Sequence, residues 1–418
     1  MSRLQVNFAG LKLDNPFIVA SSELTNTLKK IKIAENYGAS AVSTKLAFLK
    51  VPFYARPYHI IEQNRGLFSP SGDRMSVEQA EVLIDGCKKE TKLKVIANMM
   101  GPGEDLNGWA TLAKRLEDAG ADMIEMNMSC PNVGLMAQQL GIEAPPELGA
   151  SLGQNPSLAR EVTKSVSSAV KIPVMAKMTP EANTPLVAEQ CYAGGAAAVS
   201  AINCPQSLPG VDVYNEGRPL YANVTNQSFA GLCGPWIRPL AYRHVAQIRN
   251  RVPDLPIAGG GGLMNWRHVV EMIMYGATAV TFCSMFYIKG FQVLPKMAQQ
   301  IENYMKEMGY NSLGDFRGAA LKHIVTPDKV TYVDDVIPEI DYEKCNGCGI
   351  CTRMGHCTVI ELQKDDSSGK KKPVVVSPGE CYGCSVCYWL CSRRAITMVN
   401  TKTGEKISRP DFTENGAV

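Results

Sequence analysis

Eight short apolar runs mark the first two thirds of the chain, and stretches with a helical spacing of apolar residues lie between most of them. The runs are rich in small and β-branched residues, as strands buried on both faces are. They fall at residues 16–20, 40–44, 94–98, 121–127, 173–177, 198–203, 256–260 and 279–283. The helical stretches include 108–118, 156–170, 185–193, 236–251 and 266–275. Alternation of this kind predicts an α/β fold, the (β/α)₈ or TIM barrel.

The segments around these runs predict the remaining architecture. Residues 4–13 predict a small hairpin, and 292–325 predict helix. Long stretches rich in Pro, Gly and polar residues predict irregular insertions at 46–75 and 131–152, of the kind that often form lids. We expect a barrel domain at 1–335 and a Cys-rich domain at 336–410, with a charged, solvated turn at 363–372.

The barrel prediction also tells where to look for chemistry. Active sites of this fold collect at the carboxyl ends of the strands. The residues expected there are Ser21, Lys45, Asn98, Asn127, Lys177, Asn203, Gly261 and Ser284.

Charge and hydropathy exclude some classes of protein. With 43 Lys and Arg against 40 Asp and Glu, the net charge is +3, so we expect no binding to nucleic acid or to an anionic membrane surface. The apolar runs are too short to cross a bilayer, and the first residues lack the apolar core of a secretory signal. We therefore expect a cytoplasmic protein, in which regular cysteine spacing indicates metal binding and disulfides are disfavoured.

Eight of the fourteen cysteines lie near the carboxyl terminus in two clusters. Triplets with two residues between successive cysteines wrap one corner of a 4Fe–4S cubane, and the fourth ligand comes from the other motif. This spacing predicts two 4Fe–4S clusters, one held by Cys345, Cys348, Cys351 and Cys391 and the other by Cys381, Cys384, Cys387 and Cys357. Two zinc ribbons are the alternative, although such triplets suit tetrahedral zinc poorly.

The Cys-rich segment resembles a two-cluster ferredoxin domain, a small α+β fold, with one departure in spacing. Five residues separate Cys351 from Cys357, where three are usual, and Gly355 stands at the usual position. Thr358 and Ser392 follow the fourth cysteines in place of the usual proline. Among the eight predicted ligands, Cys357, the fourth ligand of the second cluster, therefore departs most from the ferredoxin pattern.

The barrel residues carry a second resemblance. The sequence Asn127-Met128-Ser129-Cys130-Pro131-Asn132, together with Ala20-Ser21, Lys45, Lys177, 201–203 and the glycines 259–262, resembles the dihydroorotate and dihydropyrimidine dehydrogenase superfamily. Joined to the ferredoxin-like segment, it resembles the catalytic subunits of bacterial dihydropyrimidine dehydrogenases over residues 1 to about 410. These are flavoproteins that reduce, or form, a C=C bond in a pyrimidine.

The resemblance implies an FMN site in the barrel. Backbone groups after the last two strands would hold the phosphate, and Lys45 and Lys177 would lie beside the flavin ring. The residues implied to contact FMN are Ala20, Ser21, Lys45, Asn98, Asn127, Lys177, Ile202, Gly231, Cys233, Gly234, Gly261, Gly262, Cys283 and Ser284.

The same resemblance makes Cys130 the acid–base residue, which donates a proton to one carbon while FMN N5 delivers hydride to its neighbour. A thiol suits this work because its ordinary pKa, about 8.5, is near the operating pH. Ser129 would relay the proton or bind substrate. The residues implied to bind substrate are Asn127, Asn132, Asn203, Cys204, Ser76 and Glu78.

Two of these positions depart from the superfamily pattern. Ser76-Val77-Glu78 stands where an Asn-x-Glu is expected, and Cys204 stands where the strand-six Asn is followed by Thr. Another unsaturated carbonyl compound or an aromatic ring therefore remains an alternative to a pyrimidine. A non-catalytic electron-transfer subunit is an alternative of another class, against which Cys130 in its motif argues.

The source of electrons is expected to lie on another chain. A nicotinamide site requires a Gly-x-Gly-x-x-Gly turn between strand and helix, and the glycine-rich segment here is assigned to the FMN phosphate. We expect a separate NAD(P)H- and FAD-binding subunit, or a soluble ferredoxin, to feed the clusters, and the chain to form a homo-oligomer.

Overall fold

The computed structural model describes residues 2–52, 58–62, 66–72, 74–130, 147–220, 225–365 and 369–407. The chain divides into two compact units, Met1–Ile324 and Val325–Val418. The division falls upstream of the boundary at 335 that the sequence predicts. Residues 325–335 are all exposed, so this stretch packs little against either core.

The first unit is built on a closed barrel of eight parallel strands. Each strand pairs with the next along the chain, and the eighth returns to the first through Val280 opposite Phe17. Every strand overlaps one of the apolar runs, so the predicted TIM barrel is confirmed. The strands are Phe17–Val19, Ala41–Ser43, Lys94–Met99, Met123–Asn127, Val174–Lys177, Ala198–Ala201, Ile257–Gly260 and Ala279–Phe282.

Amphipathic helices cover the barrel. In the helix Pro156–Ala169, Asn155 caps the first turn by accepting from the Leu158 N–H, and Pro156 fits the first position because it lacks a backbone donor. The helices of this unit are Leu28–Asn36, Val77–Glu90, Leu106–Asp118, Ala150–Gln154, Pro156–Ala169, Thr184–Ala193, Arg238–Arg251, Trp266–Met274, Ser284–Lys289 and Val293–Glu307.

Further strands lie outside the barrel. The predicted hairpin at 4–13 is present, with Val6–Phe8 antiparallel to Leu11–Leu13. The prediction that 46–75 is wholly irregular is wrong, because the described part contains strands Ala47–Phe48, Tyr58–Glu62, Gly66–Ser71 and Met75–Ser76. Most of the second predicted insertion, residues 131–146, lies outside the described residues.

An antiparallel four-stranded sheet joins the excursions that follow the second and sixth barrel strands. Its central strands pair Leu67 with Cys233 and Phe68 with Leu232. Because both excursions leave the barrel at the carboxyl ends of its strands, this sheet forms part of the wall of the active-site end. Its strands, in spatial order, are Gln206–Ser207, Ala230–Cys233, Gly66–Ser71 and Tyr58–Glu62.

The second unit has its own small core and antiparallel strands. Val336, Ile360, Ile396 and Met398 are buried together there. The expected charged turn at 363–372 proves to include the ends of two paired strands. The elements are strands Val336–Ile340, Ile360–Lys364, Lys371–Val375, Ile396–Asn400 and Lys406–Ile407, with the short helix Val386–Leu390.

Among the helices that the structure describes, none combines the length and the apolar character needed to span a membrane.

Candidate functional site

A deep cavity opens at the carboxyl ends of the barrel strands, where the fold places active sites. Its volume is about 1260 Å³, the open mouth included. It gathers most of the residues that the sequence singled out: Ala20, Ser21, Lys45, Asn127, Cys130, Lys177, Ile202, Asn203, Cys204, Gly231, Cys233, Gly234, Gly261, Gly262, Cys283 and Ser284.

One part of the cavity wall is made of glycine backbone. Gly234, Gly261 and Gly262 all have positive φ, at 91°, 126° and 72°. A Cβ atom on Gly262 would collide with the Gly234 carbonyl oxygen and would lie 3.0 Å from the Arg238 backbone nitrogen. Since no side chain fits there, bare backbone faces the cavity, as at sites that hold phosphate groups.

Two lysines bring positive charge into the cavity. Lys177 ends the fifth strand, directly opposite Asn127 in the register, and is only 8% exposed. The Nζ of Lys45 lies 2.8 Å from Glu23 Oε1, and Tyr287 donates to the other carboxylate oxygen at 3.1 Å. Burial, with the neighbouring Cys283 and Glu23, raises the pKa of the Tyr287 phenol.

Three further residues line the cavity that are not among the predicted site residues: Glu23, Arg74 and Tyr287. Glu23 lies two residues beyond Ser21, so its position close to a strand end could have identified it from the sequence. Arg74 and Tyr287 could not be found in this way, because Arg74 belongs to an insertion and Tyr287 to a helix. With Lys45 and Lys177, Arg74 gives three cationic side chains against the carboxylate of Glu23, so the lining favours an anionic group.

Cys130 lines the cavity and is half-buried, at the end of the fourth strand. Ser129 and Asn98 do not line it, because both are fully buried behind the wall. Ser129 Oγ donates to Asn127 Oδ1 at 2.9 Å and accepts from Asn203 Nδ2 at 3.0 Å. Both residues therefore reach the cavity only through the asparagines that line it.

The remaining predicted substrate residues lie elsewhere. Ser76 caps the helix Val77–Glu90 together with Gln79, and neither Ser76 nor Glu78 lines the cavity. Glu78 is ion-paired with Arg115 at 3.0 Å, on an exposed surface. The structure therefore does not bring these two residues to the cavity, and the Ser76 side chain serves as a helix cap instead. Asn132 lies outside the described residues.

Cys204 and Cys233 are joined by a disulfide in the cavity wall, with their Cα atoms 5.6 Å apart. This bond departs from the expectation that disulfides are disfavoured. The two cysteines are 29 residues apart in no recognisable motif, and the additional sheet brings them together. Neither thiol is free to bind a ligand while the bond is formed.

The second unit gathers its eight cysteines in two groups, each around a cavity of its own. Cys345, Cys348, Cys351 and Cys391 line one cavity, and Cys357, Cys381, Cys384 and Cys387 line the other. These are the two sets that the spacing predicts. Within the described residues, no three His, Cys, Asp or Glu side chains are close enough to hold a single metal ion.

The backbone around the two groups repeats. Gly347 and Gly383, each two residues after the first cysteine of a triplet, have φ of 72° and 64°. Gly349 and Ser385, two residues further on, have φ of 69° and 63°. The equivalent left-handed turns bend each triplet around its cavity, and a serine there accepts a conformation that favours glycine.

The chain is similar in sequence to known dehydrogenases. A family model described as dihydroorotate dehydrogenase matches residues 3–305. The chain is 29% identical over 359 residues to the NAD-dependent dihydropyrimidine dehydrogenase subunit PreA of Escherichia coli K12, covering 83% of this chain and 84% of that one. It is 35% identical over 327 residues to the catalytic subunit of dihydroorotate dehydrogenase B (NAD(+)) of Pyrococcus horikoshii, covering 76% and 98%. The corresponding subunit of Methanocaldococcus jannaschii is 30% identical, covering 73% and 94%.

Proposed function

The chain belongs to the dihydroorotate dehydrogenase family, whose members are flavin-dependent oxidoreductases acting on CH–CH groups, and we propose that it reduces, or forms, a C=C bond in a pyrimidine or a similar cyclic amide. The observation that carries the proposal is the cavity, in which Cys130, two lysines, two asparagines and a wall of glycine backbone meet. The similarity to PreA favours a pyrimidine. That match covers 83% of this chain and therefore extends beyond the barrel unit into the second unit.

The cavity residues fit FMN. The bare backbone of Gly234, Gly261 and Gly262 would admit a phosphate group, since a Cβ atom on Gly262 would already fill the space. Lys45 and Lys177 would lie near the isoalloxazine ring, where a cation stabilises its negative charge. When bound, FMN would supply hydride transfer to or from carbon. Asn98, by contrast, is proposed to act only from behind Asn127.

The side chains of this cavity would do the remaining chemistry. Cys130 would hold the proton that is given to, or taken from, the carbon beside the hydride position. Asn127 and Asn203 would orient a flat ring through its C=O and N–H groups, because an amide side chain carries both a donor and an acceptor. Ser129 would fix these two amides.

The cysteine groups fit 4Fe–4S clusters, one cluster in each cavity of the second unit. Four thiols surround each cavity, and the Ala395 and Gly383 backbone N–H groups donate to the Sγ atoms of Cys391 and Cys381 at 3.2 and 3.4 Å. Such bonds stabilise the negative charge of cluster ligands. We assign residues 1–335 to the FMN barrel and 336–410 to the two-cluster domain, with Cys357 as a ligand of the second cluster.

Electrons would reach the clusters from a separate NAD(P)H-oxidising flavoprotein or from a ferredoxin. The printed names support a divided enzyme, since PreA is named as a subunit of an NAD-dependent dehydrogenase. The purified chain alone should then oxidise NADH no faster than a control sample of the same protein that has been inactivated by air.

A second substrate class is favoured by one observation. The Cys204–Cys233 disulfide occupies a position that was expected to bind the substrate ring, so the ring environment differs from the superfamily pattern. Another unsaturated carbonyl compound therefore stands as the second candidate. The electron-relay alternative predicts that neither pyrimidines nor enones reoxidise the flavin.

The test is anaerobic reoxidation of the reduced protein, followed by flavin absorbance. The protein should contain flavin, iron and acid-labile sulfide, and uracil or thymine should reoxidise it faster than orotate or simple enones. Cys130→Ser should slow this reoxidation by about 10²-fold or more, the usual contribution of general acid catalysis.

The matched control is Cys87→Ser, the same substitution at a buried cysteine of the barrel unit that does not line the cavity. It should reoxidise at the wild-type rate. Equal rates for wild type and Cys130→Ser would refute the role of the thiol, and a preference for enones would select the second substrate class.

A further inference from the structure

The cavity wall contains a disulfide that the proposed chemistry does not use. Cys204 and Cys233 both line the cavity, and their Cα atoms lie 5.6 Å apart. The volume of about 1260 Å³ includes an open mouth, so a small dissolved molecule can enter. A disulfide on the wall of such a cavity differs from one enclosed in a core, because exchange with a thiol depends on access to the sulfur atoms.

Backbone hydrogen bonds hold the two cysteines close together without help from the sulfur–sulfur bond. The strand Gln206–Ser207 begins two residues after the first cysteine and pairs with Ala230–Cys233, which ends in the second. The Leu232 N–H donates to the Pro205 carbonyl oxygen at 2.8 Å, between residues that adjoin the two cysteines. The cysteines would therefore remain neighbours as free thiols. Their Cα separation is usual for a disulfide, so closing the bond requires little backbone movement.

The two cysteines differ in exposure. Cys233 is 8% exposed, whereas Cys204 is half-buried. The sulfur of Cys204 is therefore the expected point of attack for a thiol that enters the cavity, since the attacked sulfur must be accessible. The better shielded Cys233 is then the leaving group.

We propose that the Cys204–Cys233 pair is a reversible site of thiol–disulfide exchange, whose ligand is a small monothiol. In the first step the thiolate attacks Cys204 Sγ, the bond between the two cysteines breaks, and Cys233 leaves as a thiolate that takes up a proton. A second thiolate then attacks the sulfur of the first monothiol, and Cys204 leaves and is protonated. The pair gains two electrons and two protons, and the two monothiols depart as one disulfide molecule.

Neighbouring residues connect this bond to the rest of the cavity. The Cys204 N–H donates to Asn203 Oδ1 at 2.9 Å, and Gly234, which follows Cys233, belongs to the glycine wall. The disulfide thus joins the backbone beside a proposed ring-binding residue to the backbone beside the proposed phosphate site. Exchange would alter both sides of the cavity together. This consequence rests on the proposed function, whereas the exchange itself does not.

The exchange is tested on the folded holoprotein with 2-mercaptoethanol and its oxidised form, 2-hydroxyethyl disulfide. Protein purified without reductant is incubated in mixtures of the two without air, quenched with acid, freed of the small thiol and alkylated after unfolding. Mass spectrometry should show that labelling of Cys204 and Cys233 rises with the thiol and falls again when the disulfide is added back. A pair that stays closed until urea unfolds the protein, or that does not close again, would overturn the proposal.

Single substitutions test the point of attack. In Cys233→Ser, the remaining Cys204 should form a mixed disulfide with 2-hydroxyethyl disulfide. In Cys204→Ser, the remaining Cys233 should react about tenfold more slowly or less, because it is better shielded. Cys87→Ser, at a buried cysteine that does not line the cavity, is the matched control and should exchange as the wild type does. Equal rates at the two single cysteines would overturn the assignment of the attack to Cys204, and the wild-type experiment decides the exchange even where a variant does not fold.

The absorbance spectrum of the oxidised flavin reports the effect on the rest of the cavity. Opening the pair should shift this spectrum, in the wild type and in Cys87→Ser alike, and closing the pair again should restore it. If labelling responds to the thiol while the spectrum does not, the proposed place of FMN beside this wall is wrong and the exchange site stands.

Discussion

Replacing Gly262 by alanine tests the role of the glycine wall most directly. Gly262 has φ of 72°, and a Cβ there would collide with the Gly234 carbonyl oxygen and lie 3.0 and 3.1 Å from the backbone N and the Cβ of Arg238. Gly309 is the matched control, because its φ is 73° and nothing lies within 4 Å of its Cβ position. Both belong to the barrel unit.

The structure separates the two costs of the substitution. An L-residue at positive φ costs about 1–2 kcal/mol, and both variants bear this cost. At Gly262 the backbone contacts must also give way, which adds about 1–3 kcal/mol as in an overpacked core. Gly309→Ala should therefore lose about 1–2 kcal/mol of unfolding free energy, and Gly262→Ala about 2–5 kcal/mol.

Flavin content distinguishes a local effect from a general one. Both variants are purified without air, and flavin per protein is measured alongside urea unfolding. Gly262→Ala should lose most of its flavin, because the displaced backbone closes the space proposed for the phosphate, whereas Gly309→Ala should retain it. Equal flavin content and equal unfolding midpoints in the two variants would refute the assignment of this wall to the cofactor.

Two further predictions concern groups around the cavity. Alkylation of the unfolded protein without reductant should leave Cys204 and Cys233 unlabelled, and mass spectrometry should find both labelled after reduction; labelling in both cases would contradict the disulfide. Burial and the cations of Arg238 and Lys289 lower the pKa of His268 to about 3, below its value of 6.5 in the unfolded chain. The unfolded state then binds more protons between these values, so stability should fall as pH drops below about 6.5, by up to about 2 kcal/mol at pH 5 from this group. His268→Gln should flatten the dependence of unfolding free energy on pH between 7 and 5, and an unchanged slope would contradict the prediction.

The barrel could be predicted from the sequence because its strands are buried on both faces. A strand such as Val174–Lys177 is a continuous apolar run whose last residue points to the active-site end, so the pattern gives both the strand and the lysine. The cysteine sets could be predicted for a related reason, because their spacing is a signal that is local in the chain. The structure gathers the cysteines in those sets.

The sheet beside the cavity could not be predicted in this way. Gly66–Ser71 has no apolar run, and its pairing with Ala230–Cys233 joins segments more than 150 residues apart. The disulfide depends on that pairing and was missed with it. Glu125 stands in an apolar run, and the sequence does not show that it lies opposite Asn98 on the neighbouring strand.

The cysteines of the cavity differ in their surroundings, which bears on the proposed role of a thiol there. Among the described residues, four line it, and Cys204 and Cys233 are bonded to each other. Burial raises the pKa of Cys283, which keeps that thiol protonated and a poor proton acceptor. Cys130 is half-buried and lies outside that disulfide, just after the fourth strand, where Asn127 and Ser129 are joined by a hydrogen bond. Acid–base work requires an accessible group that is not bonded elsewhere, so among these four cysteines the proposed role falls to Cys130.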